Sequence, residues 1–199
     1  MASVSDKQVD ELLDFCQDCQ GLIFDLRENR GGLSENGMTL LKYLPTEKEL
    51  YKTYVRHNSI RDELMEEGVV LKPRIKNESK IWRKPLIVLV DNESFSMSSI
   101  FAMCVKGCEN VRIVGVKTAG GTNLPDWFEL SNGWFYRIPT VKLISRYGID
   151  YENGVIPDVE IHLDKDKAVE ENRDNIIDAA CEMILSQDYW KNSYNSLSD

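Results

Sequence analysis

The residues best suited to covalent chemistry lie together in Asp91-Asn92-Glu93-Ser94-Phe95-Ser96-Met97-Ser98-Ser99. They follow Pro85-Leu86-Ile87-Val88-Leu89-Val90, a continuous apolar run that predicts a strand buried on both faces. A helix is predicted next, through Phe101, Ala102 and Val105, with Gly107 as its stop. A serine on the first turn of such a helix exposes its Oγ at the edge of the sheet. The helix N-terminus also points backbone N–H groups at a developing oxyanion. Serines at a strand-to-helix junction equally serve as N-caps. By itself the segment leaves both roles open.

Three other segments combine glycine or acidic residues with strand ends. Asp25-Leu26-Arg27-Glu28-Asn29-Arg30-Gly31-Gly32 closes an apolar run that begins at Gly21. Its paired glycines permit positive φ or close approach of a ligand, and Asp25 and Arg27 are placed to form an ion pair. Gly115 to Thr122 is a second glycine-rich strand exit, without the G-K-[ST] ending of a phosphate loop. Glu152-Asn153-Gly154-Val155-Ile156-Pro157-Asp158 reads as a turn, and Glu152 alone as a surface carboxylate.

These segments need a scaffold, and the rest of the chain predicts one. Residues 5–19 form an amphipathic helix with a capping-box pair at Ser5 and Gln8. A buried strand over 21–27 and a helix over 34–44, closed by Pro45, follow. Residues 46–84 read as an excursion, with β propensity favouring a strand over 50–56. A third buried strand covers 111–116. Asn132-Gly133 marks a short β-hairpin between strands at 127–130 and 134–138. A strand over 158–163 and a helix centred on Ile176, Ile177, Ala180 and Ile184 complete the order. Strands alternating with helices specify an α/β fold with a mostly parallel buried sheet.

Composition limits the function classes. The chain has 199 residues, 42% of them apolar and 29% charged, which suits one globular domain with a sizeable core. A net charge of −9 argues against nucleic acid or anionic membrane as a partner. No stretch reaches the length of a membrane span. Cys16 and Cys19 form a C-x-x-C, Cys104 and Cys108 lie four apart, and Cys181 is alone. Those spacings belong to one helical face, so buried thiols are expected, with a split zinc site or a redox pair as rival readings. No metal site or cofactor is expected. His57 and His162 are the two histidines, the former read as exposed and the latter as a core or surface residue.

In this order and at these separations, the segments resemble the S41 peptidases, the carboxyl-terminal processing or tail-specific proteases and their tricorn-core relatives. The family pattern D-L-R-x-N-x-G-G is met at residues 25–32, and S-x-S-x-S-E at 94–99, with Ser99 in place of glutamate. G-x-x-T-x-G is met at 115–120 and G-[VI]-x-P-D at 154–158, and Asp174 to Ile177 is similar to a D-x-x-[IL] element. The resemblance implies a ClpP/crotonase-like core over residues 1–190, lacking its N-terminal portion, with a C-terminal tail over 191–199. It also implies that Ser98 is the nucleophile, with oxyanion donors at Ser99 and at Gly31 or Gly32. Thr118, Gly120 and Gly121 would shape a groove for an extended polypeptide.

The base is where this sequence departs from part of the family. One branch carries a lysine just beyond G-x-x-T-x-G, where this chain has Gly121, Thr122 and Asn123. The tricorn-like branch uses Ser, His and Glu, and Glu152 occupies the place of its glutamate. That branch's histidine precedes the D-L-R strand, so the resemblance puts the base outside this segment. The implied function is a serine endopeptidase of the processing type, in the periplasm or cell envelope of a bacterium. The alternative is a degenerate relative that holds peptides or ligands without cleaving them.

Overall fold

The computed structural model describes residues 3–56, 64–75, 77–186 and 190. Helix α1 spans Asp6–Phe15, and its N-terminus is the predicted capping box. Ser5 Oγ accepts from the Gln8 N–H, and Gln8 Oε1 accepts from the Ser5 N–H at 2.9 Å. The helix stops four residues short of the predicted Cys19. Cys16 is its C-cap, and the chain folds back in a turn closed by the Cys19 N–H on the Cys16 carbonyl.

Strand β1 (Leu22–Asp25) leads to α2 (Ser34–Leu41). Strands β2 (Glu49–Arg56) and β3 (Leu64–Leu71) follow, then β4 (Leu86–Val90) and α3 (Met97–Val105). Next come β5 (Val111–Gly115), β6 (Leu124–Glu129), β7 (Phe135–Ser145) and β8 (Val159–Glu160). Helices α4 (Lys165–Glu170) and α5 (Asn175–Leu185) close the order. Residues 191–199 and His57 lie outside the described residues.

Four strands make a parallel sheet in the order β1-β4-β5-β8, with β4 wholly buried in its interior. The continuous apolar run of β4 is explained by what covers each face. Leu86, Val88 and Val90 pack in one cluster with α3 and with Leu41 of α2. Ile87 and Leu89 pack on the other side with Ile176 and Ala180 of α5. Each such side chain contributes roughly 1.5–3 kcal/mol on burial. The helices therefore hold the sheet from both faces and fix the β4-to-α3 junction between them.

Residues 46–84, read from the sequence as an excursion, contain half of a second sheet. β2 pairs antiparallel with both β3 and β7, and β7 pairs with β6, giving the order β3-β2-β7-β6. The expected hairpin is present around Asn132-Gly133, but β7 runs on to Ser145 to reach β2. Trp127, Trp134 and Phe135 on this hairpin are each more than half exposed.

The D-L-R segment is tied to the C-terminal helix. Arg27 pairs with Asp25 at 2.7 Å, as the sequence suggests, and also with Asp174 at 2.7 Å. Asp174 caps α5, accepting from the Ile176 and Ile177 N–H groups. Burial pushes the Asp174 carboxyl upward, but hydrogen bonds from Ile177, Arg27 and Ile176 outweigh it and hold the group below its ordinary value. A depressed carboxylate stabilises the fold above its unfolded pKa and loses that contribution as pH falls through the folded value. Asp174→Asn keeps a good cap but no charge. Its urea midpoint is expected below wild type at pH 6, with the gap closing below about pH 4. A gap that stays constant with pH would contradict this role.

Candidate active site

The junction between β4 and α3 is built by Asp91. Its Oδ1 accepts from the N–H groups of Glu93, Ser94 and Glu28, each at 2.9–3.0 Å. Because Glu28 follows β1, one carboxylate joins the exits of two adjacent strands. The Asn29 carbonyl then accepts from the Phe95 N–H at 3.1 Å, drawing the Gly31-Gly32 turn onto the serine segment. Asp91 and Asn29 are positioning residues that the sequence reading passed over. The readable signal was an Asp three residues before a serine and an Asn two before a glycine, both turn formers through side-chain hydrogen bonds.

The four serines of the junction separate by their partners. Ser94 Oγ donates to the Leu26 carbonyl at 2.8 Å and accepts from the Asp91 N–H. Ser99 Oγ lies 3.0 Å from both the Ser94 carbonyl and Thr118 Oγ1. Ser96 is the N-cap of α3 by position, yet makes no side-chain cap bond. Its backbone has φ 55° and ψ −119°, the conformation of the first central residue of a type II′ turn. That turn is closed by the Ser98 N–H on the Phe95 carbonyl at 3.2 Å. Ser98, on the first turn of α3 and 4% exposed, has a hydroxyl with no hydrogen-bond partner among the described residues. None of the four serines caps the helix with its side chain, so the capping reading fails here.

Positive φ at a non-glycine residue costs on the order of 1–3 kcal/mol. Ser96→Gly is therefore expected to raise stability by about 1 kcal/mol in urea denaturation, with the Ser98 turn intact. A loss of stability of similar size would show that the Ser96 side chain contributes contacts outweighing the strain.

Ser98 shares a cavity of about 400 Å³ with Gly31, Gly32 and Met97. Phe24, Leu26, Leu40 and Phe101 supply apolar lining, and Val9 and Leu12 of α1 form part of its wall. Gly31 has φ +86°, and a Cβ there would stand 2.7 Å from the Phe95 carbonyl oxygen and 2.8 Å from the Met97 nitrogen. The glycine turn thus abuts the backbone immediately before Ser98. The Gly31 N–H donates to Asn29 Oδ1 at 2.9 Å. The N–H groups of Gly32, Met97 and Ser99 have no acceptor among the described residues.

Thr118, Gly120 and Gly121 lie beside the same junction without lining the cavity. Thr118 Oγ1 accepts from the Val155 N–H at 2.9 Å as well as meeting Ser99. The Gly120 carbonyl accepts from the Ser96 N–H at 2.9 Å, and Gly121 packs against the Phe95 ring. This loop braces the strained turn from behind. Glu152 is bound to the same loop: its Oε2 accepts from the Asn123 N–H at 2.7 Å and lies 3.4 Å from Thr122 Oγ1. Its other carboxylate oxygen has no partner among the described residues. Asp158, the last residue of the same motif, accepts from the Ile113 N–H and pairs with Lys106, which anchors the segment to β5. His162 is exposed beside Glu160 and lines a different cavity, with Asp25, Arg27 and Asp91, that does not include Ser98.

Cys16, Cys104 and Cys108 are buried as expected, whereas Cys19 and Cys181 are exposed because the chain turns outward after α1 and α5 is one-sided. Among the described residues, no group of three or more His, Cys, Asp or Glu side chains is arranged to hold a metal ion. No helix among them is long and apolar enough to cross a membrane.

A parallel α/β sheet delivers an unpartnered serine to a helix N-terminus, beside a glycine turn and an apolar cavity, an arrangement able to serve a serine nucleophile. The sequence matches peptidase family S41 over residues 1–161, and the chain belongs to that family. It is 32% identical over 157 residues to a nisin-resistance protein of Lactococcus lactis, covering 75% of this chain and 49% of the relative. It is 31% identical to carboxyl-terminal-processing peptidase 3 of Arabidopsis thaliana, covering 72% and 26% respectively. The crystal structure of a candidate peptidase from Parabacteroides merdae superposes with a TM-score of 0.83 at 26% identity, over 94% of this chain and 58% of that one. The α/β fold implied by the resemblance is the fold observed. The chain spans about half or less of the length of these curated relatives.

Proposed function

We propose that the protein is a serine peptidase of the processing type, in which Ser98 Oγ attacks the scissile carbonyl of an extended polypeptide. The observation that carries this is the free Ser98 hydroxyl, the one serine of the junction that faces the cavity and is not consumed by the scaffold. The attack forms a tetrahedral oxyanion beside the helix N-terminus. The N–H groups of Ser99 and Gly32 are its donors, while Gly31 holds the turn through its bond to Asn29. One such donor contributes about 2.7–4 kcal/mol to the transition state. The role at position 99 belongs to the backbone, so a serine in place of the family's glutamate does not remove it.

The hydroxyl must give up its proton as it attacks, and a histidine is the group suited to take it. His162 lines a separate cavity, and this reading follows the tricorn-like branch in taking the histidine from a segment ahead of the D-L-R strand. Glu152, fixed to the loop by Asn123 with one oxygen open, orients that base. The proton then passes to the leaving amine, and water releases the acyl group from Ser98. The apolar lining of Phe24, Leu26, Leu40 and Phe101 favours an apolar side chain next to the scissile bond. A cell-envelope location fits a processing role.

The test is cleavage of internally quenched peptides by the full natural polypeptide. Peptides with an apolar residue before the scissile bond are expected to be cut, and Glu152→Gln to slow this by about 10²–10⁴-fold. Peptide binding without any cleavage would establish the holding module instead.

A further inference from the structure

The end of α1 carries a chemical arrangement that the peptidase reading does not use. Cys19 donates its N–H to the Cys16 carbonyl at 3.0 Å, closing a turn from residue 16 to residue 19. Such a turn keeps the two Cα atoms within about 7 Å, and a disulfide spans about 4.4–6.8 Å. One thiol is buried in the core and the other is exposed to solvent. Lys84 fixes the turn, its Nζ donating to the carbonyls of Gln17 at 2.5 Å and Cys19 at 2.8 Å. This cation opposes the negative end of the α1 dipole, which would otherwise disfavour a thiolate there.

We infer that Cys16 and Cys19 form a reversible intramolecular disulfide across the turn that ends α1. The exposed Cys19 thiolate attacks one sulfur of a disulfide oxidant such as oxidised glutathione, releasing one glutathione thiolate. The Cys16 thiolate then attacks the Cys19 sulfur of the mixed disulfide and expels the second glutathione. Two protein thiols are oxidised, and one glutathione disulfide is reduced to two thiols. Cys104 and Cys108 are unsuited to the same reaction. Both are buried, so that pair has no exposed thiol to meet the oxidant. Because Val9 and Leu12 of α1 line the Ser98 cavity, the link would staple the end of the helix that forms its wall.

Peptide mapping of the folded wild-type protein tests this. Trypsin cutting after Lys7 and Arg27 releases residues 8–27, which hold Cys16 and Cys19 and no other cysteine. After incubation with excess oxidised glutathione, acid quench and alkylation, this peptide is expected to carry neither alkyl tag and to be lighter by two hydrogens. Cys104 and Cys108 should remain alkylated, and dithiothreitol should restore both tags. Cys16→Ser should instead trap one glutathione on Cys19. Retention of both tags in wild type would overturn the inference. So would a lasting glutathione adduct on Cys19 beside an alkylated Cys16.

Discussion

Ser98→Ala is expected to lower kcat for peptide hydrolysis by about 10⁴–10⁶-fold, the scale seen when a serine nucleophile is removed. Binding of the peptide should change by only a few-fold. The hydroxyl makes no hydrogen bond within the described residues, so its removal leaves no buried partner unsatisfied. Folding stability should therefore remain within about 0.5 kcal/mol of wild type. Ser94→Ala provides the contrast, because that hydroxyl bridges Leu26 and Asp91. It should cost about 1–3 kcal/mol of stability through the unpaired groups it leaves behind. A mutant pair in which Ser94 governs turnover and Ser98 governs stability would reverse the assignment. The measurements are steady-state kinetics on a quenched peptide and urea denaturation of each variant.

Gly31→Ala is the second large effect, and here stability and activity fall together. An alanine at φ +86° is strained, and its Cβ would meet backbone atoms of Phe95 and Met97 rather than the end of a flexible side chain. Relief requires the turn to move away from α3. The expected stability loss is about 2–4 kcal/mol, from strain and broken packing together. Movement of the Gly32 N–H relative to Ser98 should cost a further 10²–10³-fold in kcat in the fraction that remains folded. Gly133→Ala is the control, since it too has positive φ but open space around the missing side chain. It should cost only about 1 kcal/mol and leave turnover unchanged. Equal effects at the two glycines would mean that Gly31 acts through its conformation alone.

The junction that carries the chemistry was legible in the sequence for a physical reason. The β4 run has no polar break because both of its faces are covered, and the apolar stretch of α3 follows within a few residues. The Arg27–Asp25 pair was also readable, since alternation in a strand puts both side chains on one side. Arg27 reaching Asp174 was not readable, because that contact spans nearly the whole chain. The second sheet escaped for the same reason. β2 is defined by pairing with β7, far away in sequence, and β3 pairs with β2, its Glu66-Glu67-Gly68 stretch breaking any alternating pattern. Serines at 94, 96, 98 and 99 were indistinguishable by type and spacing. Only the positive φ of Ser96 and the partners of Ser94 and Ser99 leave Ser98 free, and both depend on loops from β1 and β5 meeting at α3. The motif offered the Gly31 N–H as an oxyanion donor, and in the fold that group donates to Asn29 Oδ1.

The central claim is that Ser98 is an activated nucleophile, and a fluorophosphonate probe reads this directly. The full natural polypeptide should be labelled once, with the adduct mapped by mass spectrometry to Ser98, and Ser98→Ala should abolish labelling without altering the fold. An adduct on another serine, or an unlabelled wild-type protein, would contradict the account.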